Sequence, residues 1–218
     1  MAKFYLSPSD QRANVYPYGN TNEAIECGKI AAACRKALER SGQEVMVGQY
    51  DTMANRCKAS DAFKADAHVP IHTNAYNGIV MGTRIFSYNT TGKGWKYAQE
   101  VFKVLAPLTP GTSENVKTAP QLYEVSTPAA PTVYIECEFH DNVEGAKWIV
   151  EHTTDIGEAI AEGLCNALGE NFVPVSSTNN DNNDYNELLQ KYNTLQASAD
   201  AFRTCVLSAL DIFDNGKA

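Results

Sequence analysis

Glu23, His72 and Glu136 stand out as a set in this chain. Each falls where a regular element starts or ends, among polar neighbours. An imidazole and a carboxylate can hold a zinc ion with one position left for water, and a further carboxylate can take that water's proton. Plainer accounts exist beside this one. Glu23 and Glu26 fall in the first turn of a helix, where the dipole favours a carboxylate, and a histidine at a strand exit can simply hydrogen-bond there. Long spacings between His and Glu residues also arise by chance, so residue types alone define a possibility.

The elements that must position these groups are legible from pattern. In Ala67–Ala75, Val69 and Ile71 alternate with other residues at the period of a strand with one buried face. The strand ends at His72-Thr73-Asn74, and Asn77-Gly78 marks a turn. Pro70 is odd inside a central strand, because it removes a ladder donor. Thr21 or Asn22 can cap a helix running to about Ser41, with Cys27, Ala31, Cys34 and Leu38 on one face and Gly42 ending it. Thr132 to Glu138 is the most strand-like stretch. Val133, Ile135 and Cys137 point one way; Tyr134, Glu136 and Glu138 point the other.

The remaining pattern predicts strands at Phe4–Leu6, Glu44–Val47 and Gly82–Tyr88, with a short one near Leu122–Val125. Helices are predicted from Asp51 or Thr52 to about Lys64, Trp95 to Leu105, Val143 to Val150 and Thr153 to Leu168, with Gly92-Lys93-Gly94 as a turn. The order of elements implies an α/β sheet covered on both faces. The long irregular stretch Pro107–Pro131 suggests the border of a binding site. His68 is expected to face the loop side or solvent, and His152 to be structural. Tyr16, Tyr18, Trp95 and Tyr123 read as packing residues ahead of a sugar-binding groove.

Composition narrows the function classes. With 18 Lys and Arg against 26 Asp and Glu, the formal charge is −8. That argues against binding nucleic acid through its phosphates. No apolar run approaches a membrane span, and the start, Met1-Ala2-Lys3-Phe4, runs into a strand and not a signal peptide. The six cysteines form no Cys-x-x-Cys pair and most sit on apolar positions, as in a protein made in a reducing cytoplasm. After Pro174 the composition changes. Residues 175–184 read as a polar linker that closes a domain at 1–174. Then Tyr185, Leu188, Tyr192, Leu195, Ala199, Phe202, Val206, Ala209 and Phe213 repeat at coiled-coil spacing. A helix over 185–214 with so narrow a stripe needs a partner, either a groove on the first domain or a second copy of the chain, and the second copy is favoured.

Asn22-Glu23 opening a long helix, Ile71-His72-Thr73-Asn74-Ala75 ending a strand, and Val133-Tyr134-Ile135-Glu136 followed by Asp141-Asn142 together resemble the zinc-dependent N-acetylmuramoyl-L-alanine amidases, more narrowly their phage endolysin and prophage branch. The resemblance covers residues 2 to about 172. It implies a twisted, mostly parallel six-stranded sheet with helices on both faces. It further implies hydrolysis of the amide between N-acetylmuramic acid and L-alanine of peptidoglycan. Carried over, Glu23 and His72 match zinc ligands and Glu136 the carboxylate that activates water. The family usually has another histidine just after its first strand, where this chain has Ser7-Pro8-Ser9-Asp10-Gln11. Asp10 or Gln11 supplies an oxygen instead, or His140 enters from the Glu136 loop, or the metal is held weakly. The alternative is an amidase-fold protein without its metal that binds muropeptides or assembles through its tail. Without a signal peptide, an enzyme of this kind is expected to wait in the cytoplasm for lysis.

Overall fold

The computed structural model describes residues 1–48, 51–175 and 202. The chain divides into two units, Met1–Pro174 and Val175–Ala218, and the first holds every element named below. Apart from residues 175 and 202, the expected linker and heptad helix lie outside the described residues.

Six strands form one sheet: β1 (Lys3–Pro8), β2 (Glu44–Val47), β3 (Ala67–Asn74), β4 (Arg84–Ser87), β5 (Lys117–Thr118) and β6 (Tyr134–Phe139). Their order is β2-β1-β3-β6-β4-β5, and only the β4–β6 pair is antiparallel. Among the described residues of the first unit, six helices accompany them: α1 (Glu23–Arg40), α2 (Met53–Phe63), α3 (Gly92–Leu105), α4 (Tyr123–Ser126), α5 (Val143–Glu151) and α6 (Thr153–Leu168). This is the α/β, mostly parallel architecture expected above.

Period-two alternation sorts the strand residues between the faces. Phe4 and Leu6 of β1, Val69 and Ile71 of β3, and Ile135 and Cys137 of β6 all enter one core with α1, α3 and α6. Tyr5, Ser7, His68, His72, Tyr134 and Glu136 therefore take the opposite face, where α2 and α4 pack. The described cysteines (Cys27, Cys34, Cys57, Cys137 and Cys165) are free and buried.

Helix α6 lies unusually close to two neighbours. A Cβ at Gly157 would meet Ala33 Cβ of α1 at 2.6 Å, and one at Gly163 would meet Val101 Cα of α3 at 2.4 Å. Alanine at 163 gains up to about 1 kcal/mol of helix propensity but must push backbone aside, and overpacking of that kind costs roughly 1–3 kcal/mol or more. Gly163→Ala is expected to lower the melting temperature by on the order of 5 °C, read by thermal circular dichroism.

Several local expectations are corrected. Leu122–Val125 is not a strand: Tyr123–Ser126 forms the short helix α4, and the strand in this region is the two-residue β5. Gly92-Lys93-Gly94 is no turn but the first part of α3. Pro70 does sit in the central strand β3. Beside it the β3–β6 ladder is broken: His68↔Thr132 is an isolated bridge, and continuous pairing resumes at Ile71↔Ile135. A residue with no N–H leaves that gap.

Candidate active site

The C-terminal end of β3 brings the distant candidates together. His72 is 7% exposed, and its neighbour across the ladder is Glu136 of β6. Immediately beyond, the register slips by one residue before Asn74↔Phe139, a bulge of the kind found next to active sites. Glu23 opens α1, whose N-cap Asn22 accepts from the Ile25 amide. Although buried, the Glu23 carboxylate meets the strand end: its Oε1 lies 2.9 Å from His72 Nδ1.

Gln11 completes this arrangement from the loop after β1. Its side-chain nitrogen lies 3.4 Å from Glu23 Oε1 and 3.4 Å from His72 Nδ1. Gln11, Glu23 and His72 thus offer three atoms at mutual separations of 2.9–3.4 Å. A tetrahedral ion with bonds near 2.0–2.1 Å spaces its ligands by about 3.3 Å. Rotating the glutamine amide about its last bond exchanges nitrogen for oxygen at that corner. Asp10 instead faces Arg56, at 3.9 Å. His140 does not enter the triangle. Its Nδ1 lies 2.9 Å from the Thr73 hydroxyl, which is 2.7 Å from the Tyr16 hydroxyl, and its ring stacks on Tyr16. Tyr16 itself belongs to the core, and Tyr18 bonds Glu151.

Three residues hold the set that pattern reading did not single out. Asn14 Nδ2 donates to Glu23 Oε2 at 2.6 Å, the Thr73 amide donates to Glu23 Oε1 at 3.4 Å, and the Tyr134 ring stacks on His72 at 4.8 Å. Tyr134 was open to inference, because alternation puts it on the face of Glu136. Asn14 was not, because nothing in a polar loop says which carboxylate it will meet.

Charges follow from these contacts. Burial works against ionised Glu23, but the bond and charge of His72 and the Asn14 bond outweigh it and hold the carboxyl below its usual range. Burial likewise opposes a charged His72, and the Glu23 bond overrides it, raising the imidazole. Glu136 differs. It is only half-buried, yet its Oε2 is shielded from solvent and has no partner, and desolvation pushes its pKa up to about 7. His72 Nε2 is likewise buried and unpartnered. One imidazole, one charged carboxylate and one amide in contact, with a base of near-neutral pKa on the next strand, are groups that fit a zinc site.

His68 corrects an expectation: it is fully buried, stacked on Tyr5 and 3.2 Å from Glu124. With Cys57 and Glu124 it forms, among the described residues, the group of His, Cys, Asp and Glu side chains whose ligand atoms lie within 4.8 Å of one another. His152 sits between α5 and α6, bonded to the Trp148 carbonyl and stacked on Trp148.

Glu138, within the bulge, is fully buried; its Oε1 accepts from the Gly82 and Phe139 amides, both at 2.7 Å. Burial raises its pKa to about 7 despite those donors and Arg84. An unfolded glutamate titrates near 4.3, so the stabilisation from the protonated form is complete below that pH and is lost as pH rises through about 7. Glu138→Gln does not share that loss. Urea unfolding should show the variant gaining on the parent between pH 5 and pH 8, by a difference approaching about 3 kcal/mol.

The fold is that of solved amidase domains. It is similar to the catalytic domain of CwlV, an N-acetylmuramoyl-L-alanine amidase from Paenibacillus polymyxa var. colistinus (TM-score 0.70, 16% identity, 78% of this chain and 100% of that one). It is also similar to the amidase AmiC2 of Nostoc punctiforme (0.70, 18%, 78% and 98%) and to the catalytic domain of the CD27L endolysin targeting Clostridia difficile (0.65, 21%, 79% and 100%). No curated protein matches the sequence significantly. The family model for N-acetylmuramoyl-L-alanine amidase, Amidase_3, matches residues 10–166, well over half of the chain and a span that contains Gln11, Glu23, His72 and Glu136. The chain belongs to that amidase family.

Proposed function

We propose that this amidase is a zinc enzyme that hydrolyses the bond between N-acetylmuramic acid and L-alanine, with Gln11, Glu23 and His72 as metal ligands and Glu136 as general base. The carrying observation is the convergence of Gln11, Glu23 and His72 within 3.4 Å, with Glu136 paired beside His72. Zinc, when bound, supplies Lewis-acid polarisation of the scissile carbonyl and makes water acidic enough to attack at neutral pH. The chain's own groups supply the rest. Asn14 and the Thr73 amide keep Glu23 oriented and charged, and Tyr134 fixes the plane of the His72 ring. Glu136 takes the attacking water's proton on its carboxylate, which no protein hydrogen bond to Oε2 neutralises, and returns it to the departing L-alanine nitrogen. Its pKa near 7 suits both halves of that transfer.

The cellular setting belongs to the same proposal. The enzyme is of the phage endolysin or prophage kind, resides in the cytoplasm until lysis, meets the wall afterwards, and self-associates through residues 185–214. Among the described residues no helix is long and apolar enough to cross a membrane.

Purified peptidoglycan should release free L-alanine amino groups on incubation with the full chain. Chelation should abolish the release, and added zinc should restore it. Release that continues after complete metal removal sinks the reading. The second reading, a metal-poor muropeptide binder, is favoured by one feature, the neutral amide at Gln11. It predicts saturable muropeptide binding with no release and no stoichiometric zinc.

A further inference from the structure

Beneath the candidate site, on the same face of the sheet, lies a second group of polar side chains that the proposed mechanism does not use. Arg56, Cys57, His68 and Glu124 are 4%, 2%, 0% and 2% exposed. So many ionisable groups out of water are costly unless they satisfy one another. Glu124 Oε1 accepts from Ser7 Oγ at 2.6 Å and lies 3.2 Å from His68 Nε2, while Arg56 Nη2 lies 3.5 Å from Oε2. The guanidinium already supplies the positive charge that Glu124 requires, and burial keeps the Cys57 thiol protonated, with a pKa of about 11. Arg56, His68 and Ser7 are thus joined through Glu124 into one charge network.

Its outward contact is with the loop that carries Gln11. Arg56 Nη1 donates to the Pro8 carbonyl at 2.8 Å, and Nη2 faces Asp10 at 3.9 Å. The loop is tied at its entry by the Ser9 amide on the Ile71 carbonyl (2.8 Å) and at its exit by the Glu23 amide on the Asn14 carbonyl (3.0 Å). Gln11 lies between those ties. A planar fork can serve a carboxylate and a carbonyl at once, which an ammonium on a flexible stem does poorly. We propose that Arg56 is a positioning residue: anchored by Glu124, it holds the Pro8–Asp10 segment so that Gln11 meets Glu23 and His72. The irregular segment before β6 acquires a task, the delivery of Glu124 to Arg56. The inference rests on the zinc-amidase reading for its metal readout, and on the loop contacts alone for its second readout.

The test uses the full chain with two readouts, zinc affinity by competition with a chelating dye and amide hydrogen exchange resolved to residues 9–14. Arg56→Lys keeps a charge beside Glu124 but loses the fork. It should weaken zinc binding at least tenfold and speed exchange in 9–14, with exchange in α1 and α6 unchanged. The double variant Arg56→Met, Glu124→Met strands no charge, preserves volume and should show the same two changes; it decides the matter if Arg56→Lys does not fold. A folded variant with either readout at the parental value overturns the proposal, and so does failure of both variants to fold. If the parent binds no zinc, the zinc-amidase reading falls, and the exchange of residues 9–14 decides the role of Arg56 by itself.

Discussion

Glu136→Gln should lower the rate of L-alanine release from purified peptidoglycan by about two to four orders of magnitude, the usual contribution of a positioned general base. Glutamine has nearly the same shape, and Glu136 is partnered along the strand by its backbone, so the fold should persist. What disappears is the capacity to accept a proton beside His72. The proposed metal ligands are untouched, so zinc content should stay at the parental level, and substrate binding should change far less than turnover. The decisive measurement is single-turnover release by the metal-loaded variant. A variant within a few-fold of the parent would remove Glu136 from the chemistry and leave water activation to some other group.

Gln11→His should act in the opposite sense, on affinity. An imidazole nitrogen is a better zinc ligand than a neutral amide oxygen, and the corner at residue 11 already lies 3.4 Å from both Glu23 Oε1 and His72 Nδ1. Zinc should bind at least about tenfold more tightly, a gain of roughly 1.4 kcal/mol, as read by chelator competition. Glutamine reaches that corner on a longer side chain than histidine, so Gln11→Glu is a useful companion. It keeps the reach and adds charge, and should also tighten binding. Parental affinity in both variants would show that residue 11 does not face the ion.

Much of this was legible in the sequence because it depends on local rules. The alternation of Val133, Ile135 and Cys137 against Tyr134 and Glu136 fixes which face each residue takes, and the structure follows it. Asn22 caps α1 as its residue type suggests, which places Glu23 at the helix start. What was not legible depends on partners far away in the chain. Leu122-Tyr123-Glu124-Val125 alternates like a strand, yet Glu124 is drawn into bonds with Ser7 and His68, and the segment coils into α4. His68 reads as a polar strand start, and only Tyr5 and Glu124 explain its complete burial. The choice between Asp10 and Gln11 turns on Arg56, more than forty residues away, which faces Asp10.

The groups proposed for the active site enter the fold at positions 11, 23, 72 and 136, on the loop after β1, the start of α1, and two strands that pair with each other. No short stretch of the chain holds more than two of them, so an unfolded or half-folded chain offers zinc no complete grip. On the proposed reading ion binding is therefore a wage collected only at the end of assembly: it would not guide the slow pairing of distant strands, and it would raise stability in proportion to the logarithm of free zinc once they have paired.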